Sequence, residues 1–244
     1  MNKKKILSLA LVIALLAIMV GSSLAYFTAQ DEVTNTFTVG SVKVEIYENG
    51  EATEDIEKDF GPLIPVVNTA NPSADPSYQA KVVNVHNTGL NAAYVRTHIA
   101  VPTKLAYNYL CLDMDTEGWS RVSNSVAVVG GVEYEVLTYD YDTAVAPDAF
   151  TTELLKGVYL ASDVDLLEDE SGNLEFIRRL DGGYIDESDF IAHTLNADGT
   201  YTSASVNVLV AAQAIQVDGF STEVENPATA ALNSGFKTHP WPVA

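Results

Sequence analysis

Ala93-Tyr94-Val95-Arg96-Thr97-His98-Ile99-Ala100-Val101 alternates along its length. Ala93, Val95, Thr97, Ile99 and Val101 fall on one side, and Tyr94, Arg96 and His98 on the other. A period of two is the signature of a strand with one buried face. Upstream, residues 82–86 read as a second strand, and Asn87-Thr88-Gly89-Leu90-Asn91 between them is rich in turn formers. The short link predicts an adjacent hairpin. Downstream, residues 126–129 and Val132, Tyr134 and Val136 flank Gly130-Gly131, the pattern of a tight hairpin. Val206, Val208, Val210, Ala212 and Ala214 alternate with Asn207, Leu209, Ala211 and Gln213, so both faces are apolar for several residues, as in a strand buried on both faces. Near the start, Phe37 and Val39 alternate with threonines, and Val42, Val44 and Ile46 resume after a phase slip at Gly40, a mark of a bulge or bend.

Helix signals are sparse. Thr152-Glu153-Leu154-Leu155-Lys156-Gly157 predicts one helical turn closed by its glycine. Asn226-Pro227 predicts a capped helix start running to Asn233 and Gly235. Two stretches are insertions: residues 48–76, acidic and rich in proline, and residues 163–198, with eleven acids against Arg178 and Arg179. Both are expected at the surface as solvated acidic loops, the second with a small hairpin over residues 174–180. The expected fold is all-β: a jelly-roll-like β-sandwich with peripheral short helices and long acidic loops, built as one domain over residues 26–244.

Charge and leader narrow the function classes. The 244 residues carry 13 Lys+Arg against 33 Asp+Glu, a formal charge of −20. Phosphate neutralisation needs a basic patch, so a nucleic-acid partner is excluded, and anionic lipid would repel the chain. Residues 1–25 read as a signal peptide: Lys3, Lys4 and Lys5, an apolar run over residues 6–20, then Ser23 and Ala25 in small-x-small spacing. Cleavage is expected between Ala25 and Tyr26. The apolar run is shorter than the roughly 20 residues of a spanning helix, so the mature chain is expected to be released without a stable membrane anchor. The lone cysteine, Cys111, forbids an internal disulfide; its strand-like setting suggests a small buried hydrophobe.

The search for chemistry returns little. No His-Glu-x-x-His zinc motif, no Gly-x-Ser-x-Gly and no Gly-rich phosphate loop occurs. Ser234-Gly235-Phe236-Lys237 lacks the partner motifs of Ser-x-x-Lys enzymes. In the expected hairpin His86 and His98 stand five positions apart, roughly 17 Å at ~3.3 Å per residue, too far for one metal. Asp140, Asp142, Asp163, Asp165, Glu168, Asp169 and Glu170 are dense enough to suggest calcium, but no Asp-x-Asp-x-Asp-Gly loop is present. No catalytic residue, cofactor or resident metal is assigned.

Leu24-Ala25-Tyr26-Phe27-Thr28 followed by Asn35-Thr36-Phe37-Thr38-Val39-Gly40 resembles the N-terminus of the TasA/camelysin family of secreted bacterial biofilm-matrix proteins. Val83-Asn84-Val85-His86-Asn87-Thr88-Gly89, Tyr94-Val95-Arg96 and Ala212-Gln213-Ala214-Ile215-Gln216 extend the resemblance, while the insertion after Asp163 has no counterpart. The resemblance implies release by a SipW-type signal peptidase and residence in the extracellular matrix or at the cell surface of a bacterium. No enzymatic activity and no cofactor are expected, because this chain lacks the helix-borne zinc motif and shows no other convincing ligand set. The chain would polymerise with itself, alongside other matrix proteins, by donating its N-terminal strand to a neighbour. The assembly segment would be residues 26–38, with Tyr26, Phe27, Thr28, Phe37 and Val39 in or beside it. Such a segment is strand-capable and starts at an end freed by cleavage. Two other readings stay open: a camelysin-like surface metallo-endopeptidase, which needs zinc, and a monomeric surface adhesin.

Overall fold

The computed structural model describes residues 28–31, 42–52 and 63–243, the first of these as backbone. Fourteen strands occupy them: β1 Thr28–Asp31, β2 Val44–Glu48, β3 Glu51–Ala52, β4 Gln79–Asn87, β5 Ala93–Pro102, β6 Leu110–Met114 and β7 Trp119–Val129. They continue as β8 Val132–Tyr141, β9 Leu155–Leu160, β10 Val164–Glu168, β11 Leu174–Arg179, β12 Ile185–Leu195, β13 Tyr201–Ser203 and β14 Leu209–Gln216. One α-helix, α1 Pro227–Gly235, follows. The fold is an all-β sandwich. The first sheet runs β1-β14-β5-β8-β7 and the second β3-β2-β4-β9-β6. All the pairings within them are antiparallel.

Alternation builds the interior. In β2, Val44, Ile46 and Glu48 are buried and the residues between them are half-buried. Val83 and Val85 of β4 meet Val95, Ile99 and Val101 of β5 and Val210, Ala212 and Ala214 of β14 in one core cluster between the sheets. Each fully buried valine, leucine or isoleucine contributes about 1.5–3 kcal/mol, and this core stands in for the disulfides the chain cannot make. The β7–β8 hairpin forms as expected: Val129 pairs with Val132, and Gly130 and Gly131 both have positive φ, 58° and 82°. That is the two-residue turn whose twist matches the strands, and it is closed to most other residues.

Four expectations are corrected. β4 and β5 form no hairpin with each other, because β4 pairs with β2 and β9 in one sheet and β5 with β14 and β8 in the other. The link between them is a corner that crosses the core. Asn87, fully buried, donates from Nδ2 to the carbonyls of Asn91 and Val145 and accepts from Gly89 N–H. The turn formers were read correctly, but a side-chain-pinned corner lets both strands face the same interior.

Residues 152–157 hold no helical turn, since β9 begins at Leu155 and Leu154 N–H binds the Val83 carbonyl. Gly157 is no helix stop. A Cβ there would fall 2.3 Å from the Tyr78 ring, so the strand needs glycine to let that ring lie across it.

Glu48 is not part of a solvated insertion but a buried residue of β2. The described remainder of that stretch, from residue 63, is tied down by Asp75. Its carboxylate accepts N–H bonds from Asn68, Ser77 and Val67, which hold its pKa below the usual range.

The segment of residues 163–198 is more ordered than a loop with one hairpin. It forms most of a third antiparallel sheet, β10-β11-β12-β13. Val164, Phe176 and Ala192 join the main core cluster, and Phe176 stacks on Phe190 with ring centroids 6.0 Å apart. Arg178 pairs with Asp163 and Arg179 with Asp165, both at 2.6 Å. Alternating apolar residues were present in the segment, but the density of acids hid them.

Candidate assembly edge

The first sheet ends on one side at β1, the only described part of the expected N-terminal assembly segment. β1 runs antiparallel to β14 with Thr28 opposite Ile215, Ala29 opposite Ala214, Gln30 opposite Gln213 and Asp31 opposite Ala212. Thr28, expected in an assembly segment, lies in an edge strand that pairs within its own chain. Ala25, Tyr26, Phe27, Phe37 and Val39 lie outside the described residues, as does the rest of the leader.

The receiving strand, β14, is buried along its whole length. One face, with Val210, Ala212 and Ala214, lines the sandwich core. The other face carries Leu209, Ala211, Gln213 and Ile215, and α1 covers part of it. Ala228, Ala231 and Leu232 of the helix pack on Tyr94, Ile215 and Phe236 in a second apolar cluster. The expected helix is thus present with Pro227 in its first turn, but it runs through Gly235, and Asn226, at φ 111°, makes no side-chain cap. The helix explains why β5 is buried on both faces rather than one. The C-terminal segment covers the rest: Val128 N–H binds the Pro242 carbonyl and Gln213 Nε2 donates to the Thr238 carbonyl.

Beneath this cover runs a row of polar groups with every member bonded. Arg96 grips Asp140 with two parallel bonds, Nε to Oδ1 at 2.6 Å and Nη2 to Oδ2 at 2.9 Å. The same Nη2 donates to Asn233 Oδ1 of α1 at 2.7 Å, so one guanidinium joins β5, β8 and the helix. His98 lies next in line, 1% exposed. Its Nε2 meets Gln213 Oε1 at 3.0 Å and its Nδ1 meets Thr138 Oγ1 at 2.9 Å. An amide oxygen only accepts, so Nε2 carries the proton and the threonine hydroxyl donates to Nδ1.

These placements change several expectations. Asp140, one of the acids crowded along the chain, belongs to a buried ion pair. His98 is a core residue, although the alternation of the strand put it on the side opposite the buried face. His86 is in the other sheet, stacked on Phe150 with centroids 4.1 Å apart. Among the described residues, no group of three His, Cys, Asp or Glu side chains is gathered as metal ligands would be. Cys111, in β6, is free and half-buried, and burial raises its thiol pKa. No described helix is long and apolar enough to cross a membrane. No family model, curated protein or solved structure matches this chain.

His98 makes the covered face sensitive to acid. Burial, aided by the charge of Arg96 and the neighbouring His239, lowers its pKa from 6.5 to about 4, against opposing effects of Gln213 and Asp140. The folded state keeps the ring neutral while the unfolded chain protonates below about 6.5. Its contribution to stability is therefore complete above that pH and is lost as pH falls towards about 4. Denaturant midpoints at pH 7 and near pH 5 measure this. His98→Gln is expected to show a smaller acid loss than the parent chain, because the carboxylate contributions are common to both. Equal losses would show that His98 does not govern the response.

Proposed function

We propose that this chain is a secreted structural protein that polymerises into extracellular biofilm-matrix fibres by exchanging its leading strand. The observation that carries the reading is the place of β1. A four-residue strand close to the proposed signal cleavage point lies at the margin of the sheet and, among the described residues, pairs only with β14 in that sheet. Its backbone bonds are indifferent to which copy supplies the strand. Moving β1 from its own β14 to the β14 of a second copy remakes the same ladder. Each copy then has one donor and one acceptor. Such a head-to-tail contact does not close on itself unless its rotation does, so it grows as an unbranched filament.

The resemblance of residues 24–40 to the TasA/camelysin N-terminus supports the same reading, and with it a SipW-type peptidase and a bacterial matrix as the setting. The strong negative charge opposes self-association at low ionic strength, so salt or divalent cations should favour growth by screening. Electron microscopy of the purified mature chain, across salt, calcium and pH, tests the proposal. Filaments that lengthen with ionic strength are the expected result. Monomers under every condition would overturn it.

A further inference from the structure

We propose that Lys81 and Glu48 condense into an intramolecular isopeptide bond that ties β4 to β2. This goes beyond fibre formation and does not depend on it. Lys81 is an inward-facing residue of β4, in phase with Val83 and Val85, and none of its side chain is exposed. Glu48 is the last residue of β2 and points the same way, its side chain 7% exposed. Glu48 sits directly opposite Val83, so Lys81 is its diagonal neighbour on one face of the pair. Long side chains meet readily in that relation, and here Lys81 Nζ contacts Glu48 Oε1.

The contact is held from the backbone side. Asn49 and Gly50 form the turn between β2 and β3, with φ of 53° and 84°. Asn49 Oδ1 accepts the N–H of Val82 and its Nδ2 donates to the Ala80 carbonyl. The asparagine thus clamps the residues on either side of Lys81 while its own neighbour in sequence is Glu48. Two reacting groups fixed against each other in this way react as if at very high local concentration, up to about 10⁵ M or more.

The chemistry favours condensation over a lasting ion pair. Burial lowers the Lys81 amine to about 8, so a usable fraction is neutral and nucleophilic near neutral pH. Keeping two charges in the interior is costly, and replacing them with a neutral amide removes that cost. From the ion pair, the Nζ–Cδ bond forms and one Cδ–O bond of Glu48 breaks. That oxygen leaves as water with two of the three ammonium protons; nothing is oxidised or reduced. A dry site also slows the reverse hydrolysis. The product closes a loop between positions 33 residues apart, restraining the unfolded chain as a disulfide would. With one cysteine, the chain has no other internal covalent staple of that kind.

Intact mass of the purified, denatured chain is the test, followed by tryptic mapping. The expected mass is one water below that of the sequence, with a branched peptide joining the segment holding Glu48 to the segment holding Lys81, uncut after Lys81. Glu48→Ala and Lys81→Met are expected to regain the full mass of their sequences. Glu48→Gln is expected to lose ammonia in place of water and to give the same branched peptide, a result no ion pair produces. Both readings are made under denaturing conditions, so weak folding of a variant does not obscure the parent result. A parent chain of full mass with linear peptides cut at Lys81, or a water loss mapped to any other residue, would overturn the proposal.

Discussion

A chain lacking residues 26–35 is expected to fold as a β-rich monomer and to form no fibres at all. The removal takes away β1 and leaves the other four strands of its sheet in place. The loss to folding should be small, because among the described residues the core cluster draws its buried members from residue 44 onward in chain order. The loss to assembly should be complete, because every subunit then lacks its donor. It also bares the backbone of β14 over Ala212, Gln213, Ala214 and Ile215, the residues opposite β1. A synthetic peptide of residues 26–35 should bind that edge, and in excess it should stop growth of the intact chain by capping acceptors. Circular dichroism and sedimentation would report the fold and mass of the shortened chain. Unfolding on deletion would place the segment in its own subunit's core. Fibres formed without it would place the interface elsewhere.

The same route can be followed in the intact chain. Ala29 and Ala214 stand directly opposite, so cysteines at both positions, in a Cys111→Ser background, can bridge across the pair. In the monomer the bridge forms within one chain and blocks exchange. Bridges made after assembly join successive chains, and the fibre then runs as a covalent ladder in denaturing gels. A single population of unlinked chains from preformed fibres would remove β1 from the interface.

What the sequence showed depended on how local the cause was. The hairpin at Gly130-Gly131 and the helix opening at Pro227 are written in a few consecutive residues, and both stand where expected. The long alternation from Ala93 was legible as a strand but not as a strand covered twice, because α1 and the C-terminal segment arrive from more than a hundred residues away. The corner after Asn87 was misread for a related reason. Turn formers announce a change of direction, while the choice between a hairpin and a crossing to the opposite sheet is made by which faces must be buried together. The acidic segment after Asp163 shows the opposite failure. Charge density suggested solvent, but Arg178 and Arg179 consume two of the acids, and the apolar residues between them build a sheet. The pairs Lys81–Glu48 and Arg96–Asp140 left only a faint local mark, and none that named the partner. A charged residue inside an apolar alternation, such as Lys81 beside Val83 and Val85 or Arg96 beside Val95, was the available signal, and a buried partner is what it signifies.

Arg96→Ala is expected to cost about 3–5 kcal/mol, a large share of the roughly 5–15 kcal/mol that holds a domain together. The reason lies in what it leaves behind. Asp140 is 1% exposed, and without the guanidinium its carboxylate has neither a counter-charge nor water to replace it. The same change frees Asn233 and so loosens α1 from β5. For a chain of this size the midpoint of thermal unfolding should fall by about 6–20 °C. Replacing both members, Arg96→Met with Asp140→Leu, removes the orphaned charge and should recover most of the loss, since a well-packed apolar pair is often as stable as a buried ion pair. Asn233→Ala breaks one bond to a charged donor and should cost less, about 1.5–3 kcal/mol. The three variants also separate stability from assembly. The pair and the helix act on the covered face of β5 and β14, whereas β1 meets the open edge of β14. Each variant held well below its melting point should therefore still form fibres. A stable Asn233→Ala chain that cannot polymerise would show that α1, and not the sheet edge alone, takes part in the contact between copies.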